Sequence, residues 1–113
     1  MAMKIREVLK EFEAQIYPVQ PNSTTRGKSE WKHYGDGSYR FKISVRNIPL
    51  PDGSKVDVML DETHIAEIIV QNKMAKLDTE NNMYIGIPNV KAGQRLQVKS
   101  GDLVLAEGQY IEE

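Results

Sequence analysis

A chain of 113 residues, 40% hydrophobic and 27% charged, has the size and composition of one folded domain. Disorder is excluded, because enough apolar surface is present to offset chain entropy. Fifteen basic against sixteen acidic side chains leave a net charge of −1, so no global field favours nucleic acid or an anionic membrane, and zero cysteines exclude disulfides, thiolate metal sites and a cysteine nucleophile.

Near the start, Lys4, Arg6, Glu7 and Lys10 interrupt any apolar run long enough for the central region of a signal peptide. No later stretch approaches the ~20 apolar residues that span a bilayer. The expectation is a cytoplasmic protein. Ile5, Val8, Leu9 and Phe12 recur at spacings of three and four, which predicts a short amphipathic helix or irregular lead over residues 4–11. Phe12, Ala14 and Ile16 then restart a period of two, so a strand should follow as far as Tyr17. Residues 20–27, QPNSTTRG, read as an exposed loop.

Ser29, Trp31 and His33 alternate with Glu30, Lys32 and Tyr34, and Gly35-Asp36-Gly37 turns the chain into the clearest strand of all. There Tyr39, Phe41, Ile43 and Val45 point one way while Arg40, Lys42, Ser44 and Arg46 point the other. Pro49 and Pro51 have no N–H for a ladder, so IPLPDG is a connection. Val56, Val58 and Leu60 alternate next, Asp61-Glu62-Thr63 turns the chain, and residues 65–70 (IAEIIV), apolar on both faces apart from Glu67, predict a central, well-protected strand. Gln71-Asn72-Lys73 is the next turn, followed by a short strand over 74–78. Residues 79–90 contain Gly86 and Pro88 and read as a long loop, part of which must be covered because Met83, Tyr84, Ile85 and Ile87 are apolar. The last two strands, 94–99 and 103–110, meet at Ser100-Gly101-Asp102. Gly53-Ser54-Lys55-Val56-Asp57-Val58 is echoed by Gly93-Gln94-Arg95-Leu96-Gln97-Val98, a likeness that shared turn chemistry accounts for without duplication.

Few side chains suggest chemistry. His33 and His64 lie near Asp36, Asp61 and Glu62, yet no spacing matches a metal-binding pattern, and both histidines read as structural. No motif frames Ser29, Ser38 or Ser100 as a nucleophile, and the acids at Asp36, Asp52, Asp61, Asp78 and Asp102 read as turn or solvated residues. The glycines fall singly at turns and form no phosphate-cradling loop. Neither an enzyme nor a cofactor is expected.

The run from Gly27 to Glu80, with its D-G hairpin and its I-P-L-P-D-G-S-K-V-D-V segment, together with Ile87-Pro88-Asn89-Val90-Lys91-Ala92-Gly93, resembles small bacterial all-β domains of uncharacterised function. It is more distantly similar to chordin-type CHRD domains, whose central V-x-V-x-[GN]-[LI] segment resembles residues 43–48. The chain lacks that family's histidine-x-histidine segment, so no metal or ligand role is carried over. The resemblance implies an all-β fold and no assigned activity.

The sequence therefore predicts one all-β domain over residues 1–113, a β-sandwich of seven or eight mainly antiparallel strands, with a partly open β-barrel as the alternative. Its first functional reading is a non-catalytic binding or structural module that acts through an exposed sheet face or a free edge. In that reading Ile5, Val8, Leu9, Met83, Tyr84 and Ile85 touch a protein partner or a second copy in a homodimer. The second reading is a glycan- or small-ligand-binding domain that uses Trp31 and Tyr34 with Lys32 and Arg40. Neither nucleic acid nor membrane is an expected partner.

Overall fold

Strands begin where the sequence alternates and end at its asparagine, aspartate and glycine turns. The computed structural model describes residues 7–35, 37–80 and 90–113. These form β1 (Val8–Pro18), β2 (Arg26–Tyr34), β3 (Tyr39–Arg46), β4 (Lys55–Leu60), β5 (Thr63–Ile69), β6 (Ala75–Glu80), β7 (Arg95–Ser100), β8 (Leu103–Gln109) and β9 (Ile111–Glu112). Every pairing is antiparallel. The sheet runs β5-β4-β7-β8-β1-β2-β3-β6, with β9 beside β1.

The architecture is the partly open barrel and not two stacked sheets, because β1 belongs to both halves. Its long body pairs with β2, while its end pairs with β8 at Tyr17↔Glu107 and Pro18↔Ala106, so one continuous sheet curls round a single core. Two glycines allow the curl. Ile16 lies opposite Gly27 on β2, and the register shared by Tyr17↔Glu107 and Glu13↔Ile111 places Ile16 opposite Gly108 on the other side. A Cβ at Gly27 would fall on the Ser44 carbonyl oxygen, and one at Gly108 on that of Gln15. Only glycine lets neighbouring strands approach so closely at a bend.

The alternating positions fill the interior as expected. Phe41, Ile43 and Val45 are buried, opposite Trp31, Ser29 and Gly27, and Phe12, Ala14 and Ile16 close over β2 from the other side. Each large apolar side chain so buried contributes roughly 1.5–3 kcal/mol. Trp31, Tyr110 and Phe41 are the largest.

Three expectations are corrected. No helical lead is present over the described part of 4–11, because β1 already begins at Val8 and pairs with β2 from there. A short segment gains more from an open neighbouring edge than from an isolated turn of helix. Residues 65–70 do not form a central strand, for β5 ends the sheet. Their two-sided apolarity comes from a bulge: Val58↔Ala66 is followed by Met59↔His64, so Ile65 is the extra residue and both Ile65 and Ala66 turn inward. The sandwich, finally, gives way to the barrel.

The interface expectation divides. Val8 and Leu9 are exposed on β1, whereas Ile5, Met83, Tyr84 and Ile85 lie outside the described residues. No helix among the described residues is long and apolar enough to cross a membrane.

Candidate functional site

The most informative geometry is a repeated hairpin. The β4–β5 and β7–β8 hairpins correspond residue by residue at an offset of forty, with Gly53 matching Gly93, Val58 matching Val98 and Val70 matching Tyr110. Gly53 and Gly93 have φ of 87° and 90°. Their N–H groups donate to the Val70 and Tyr110 carbonyls at 2.8 and 2.8 Å, and the Val70 and Tyr110 N–H groups donate back to Ser54 and Gln94 at 2.8 and 3.0 Å. The bulge repeats as well. Val98↔Ala106 is followed by Lys99↔Val104, so Leu105 is the extra residue and Leu105 and Ala106 are both buried, as Ile65 and Ala66 are.

The two hairpins meet through β4 and β7 with Val58 opposite its own counterpart Val98, on a local pseudo-two-fold axis that exchanges the pairs Asp57↔Lys99 and Met59↔Gln97. The symmetry then breaks at the outer strands. β8 takes β1 as its neighbour, with Tyr17 opposite Glu107, Pro18 opposite Ala106, and the Val19 N–H donating to the Leu105 carbonyl at 3.3 Å. The same run on β5, Ile65-Ala66-Glu67, pairs with β4 and has no hydrogen-bonded strand on its other side among the described residues.

What faces β5 is a cleft. β5 and β6 leave the Gln71↔Met74 bridge without pairing again. Between them lies a space of about 490 Å³, lined among the described residues by His64, Ile65, Ala66, Glu67 and Leu77. Its wall is apolar at Ile65, Ala66 and Leu77 and charged at its margin, where His64 Nε2 lies 2.9 Å from Asp57 Oδ1 and Lys55 Nζ 3.7 Å from Glu67 Oε1. An apolar strip beside an unpaired strand edge suits an extended chain.

Of the four residues expected to hold a ligand, Lys32, Tyr34 and Arg40 share the outer face, with Lys32 directly opposite Arg40, while Trp31 does not join them. Trp31 is fully buried, stacked on Tyr39 at 5.1 Å between ring centres, and lies on the opposite face from the other three. Its burial is a correction with a plain cause: Trp31 pairs with Phe41, so it shares the inward side of β3. Arg40 is held by Asp78 in a bidentate pair, Nε to Oδ1 at 2.9 Å and Nη2 to Oδ2 at 2.7 Å. This pair raises the Arg40 pKa and lowers that of Asp78. Lys32 lies 3.7 Å from Glu11, and Tyr34 is half-buried. Among the described residues the most exposed aromatic side chain is instead Tyr17, at 61%.

The polar groups of the interior are structural. Trp31 Nε1 donates to His33 Nε2 at 2.8 Å, and burial, with Lys10 nearby, lowers the His33 pKa. Ser29 Oγ donates to the Lys42 carbonyl at 2.9 Å, so the Tyr110 hydroxyl, 2.6 Å away, must donate to Ser29. Burial raises the Tyr110 pKa. The turn acids are engaged in the same way: Asp61 Oδ1 accepts from the Arg95 N–H at 2.9 Å, and Asp52 Oδ1 from the Asn72 N–H at 2.8 Å. Among the described residues no three histidine, aspartate or glutamate side chains gather as a metal site would require.

Sequence reading missed the cleft at Ala66, Glu67 and Leu77. The signal was present in the likeness of Ile65-Ala66-Glu67 to Leu105-Ala106-Glu107, which extends the glycine echo to the outer strands. No protein-family model matches the chain, and no curated protein is significantly similar to it.

Proposed function

We propose that the protein is a non-catalytic binding module that holds an extended segment of a partner polypeptide against β5, in the seam of its open barrel. One observation carries this reading. The hairpin that presents β5 has the same turn, bulge and inward pair as the hairpin that presents β8, and β8 already binds a strand at that position. A segment docked on β5 as β1 is on β8 runs antiparallel to it. It places consecutive residues opposite Glu67 and Ala66, and donates an N–H to the Ile65 carbonyl. Main-chain hydrogen bonds supply affinity, while Leu77 and Ile65 select an apolar side chain facing the cleft.

The test is selection of peptides from a random display library on the immobilised protein, followed by amide hydrogen exchange on the bound complexes. Selected peptides should slow exchange along Thr63–Ile69 and lose binding when proline replaces their central residue. Selection without binders, or protection confined to other strands, contradicts the reading.

A further inference from the structure

On the outer face of the sheet, apart from the seam, one pair of opposed like charges lacks the compensation that the others have. Elsewhere, like charges that face each other have compensating partners: Lys32 and Arg40 lie by Glu11 and Asp78, Glu13 and Glu30 share Lys28, and Asp57 and Glu67 lie by His64 and Lys55. Arg26 and Arg46, in contrast, are directly opposite each other on β2 and β3. Both are exposed, and among the described residues neither has a carboxylate within ion-pair distance. Like charges directly opposed destabilise a sheet.

The two arginines border a groove of about 420 Å³ lined by Gln15, Tyr17, Lys28, Ser44 and Met74, with the side-chain-free Gly27 in its wall. No acid lines it. Lys28 is already neutralised by Glu13 at 3.3 Å and Glu30 at 3.8 Å, which leaves the two guanidinium groups as the uncompensated charge. Lys76, exposed and opposite Ser44, extends the patch towards β6.

We propose that this groove binds a small ligand carrying a phosphate or sulfate monoester on a flat ring. Arginines on directly opposed positions of adjacent strands offer two planar forks to one tetrahedral oxyanion, which guanidinium groups bind in bidentate fashion and ammonium groups do not. The Ser44 hydroxyl and the Gln15 amide add neutral donors. Tyr17, exposed at the groove's edge, supplies a ring face for the group that carries the oxyanion. The volume lies within the range of small-molecule sites.

The probes are phenyl phosphate, phenyl sulfate, inorganic phosphate and a single-stranded oligonucleotide, each titrated into the full chain while amide shifts are followed by NMR. Phenyl phosphate or phenyl sulfate should shift the amides of Arg26, Ser44 and Arg46 saturably, and the stronger of the two identifies the source of the oxyanion. Inorganic phosphate should bind more weakly, and Tyr17→Ala should remove the difference. Arg46→Gln should weaken binding about tenfold or more while raising the melting temperature of the free protein, because it relieves the repulsion with Arg26. A gain in stability with a loss of binding separates a ligand site from a damaged fold. Absence of saturable shifts, binding unchanged in Arg46→Gln, or binding of the oligonucleotide alone would overturn the proposal, the last in favour of a polyanion surface.

Discussion

An indole N–H can only donate, so His33 Nε2 must accept from Trp31, and the imidazole is fixed as the neutral Nδ1–H tautomer. Its pKa is held below the ordinary 6.5 by burial and by Lys10. The unfolded chain therefore takes up the proton first, and the stability that this contact contributes is present above 6.5 and lost as pH falls through the lowered value. Melting followed by the fluorescence of the single tryptophan should show this acid loss in the wild type. In His33→Gln, which keeps an acceptor and cannot titrate, the loss should be smaller; equal pH slopes in the two proteins would contradict the assignment. A second pair separates two kinds of hydroxyl. Tyr110→Phe leaves Ser29 bonded to Lys42 and should cost about 1 kcal/mol, whereas Ser29→Ala strands a buried phenol and should cost more, about 1–3 kcal/mol, by urea denaturation. Trp31 shows what the residue scale hides from sequence. Alternation places Ser29, Trp31 and His33 on one side of a strand, but only the pairing with Phe41 and Ile43 decides that this side is the inner one.

Turns were the most legible elements, because their chemistry is local. Asp61-Glu62 and Asn72-Lys73 stand where the sequence placed them, with φ of 45° and 72° in the first pair and 52° and 62° in the second. Glutamate and lysine are poor occupants of the left-handed region. Glu62→Gly and Lys73→Gly should each stabilise the protein if relief of strain exceeds the added chain entropy, by about 0.5–1 kcal/mol in urea melts. Gly27→Ala and Gly108→Ala act in the other direction. Each sets a methyl group against a neighbouring strand's backbone and should lower stability by about 3 kcal/mol or more, the upper end of single-residue effects; melting temperatures near that of the wild type would remove the bend argument. The place of residues 65–70 is not legible in the sequence, because a two-sided apolar run arises from a central position or from a bulge, and the pairing register that decides between them belongs to another strand.

At the scale of the whole molecule, sequence patterning supplied the strands and most of their ends, but not the closure of the sheet. A sandwich and an open barrel need the same alternation. What separates them here is that β1 turns from β2 to β8 at Ile16, between two glycines that are too far apart in the chain to be read together. The forty-residue echo is visible at Gly53 and Gly93, yet its meaning is topological: among the described residues, one copy of the hairpin has a strand at its outer edge and the other has a cleft. Residue-resolved amide exchange on the free protein tests this asymmetry most directly. Along Thr63–Ile69, the amides that point away from β4 should exchange rapidly, while their counterparts in the part of β8 that β1 covers, around Ala106 and Glu107, should be protected. Uniform protection of both strands would mean a closed barrel with no vacant edge, and would contradict the account.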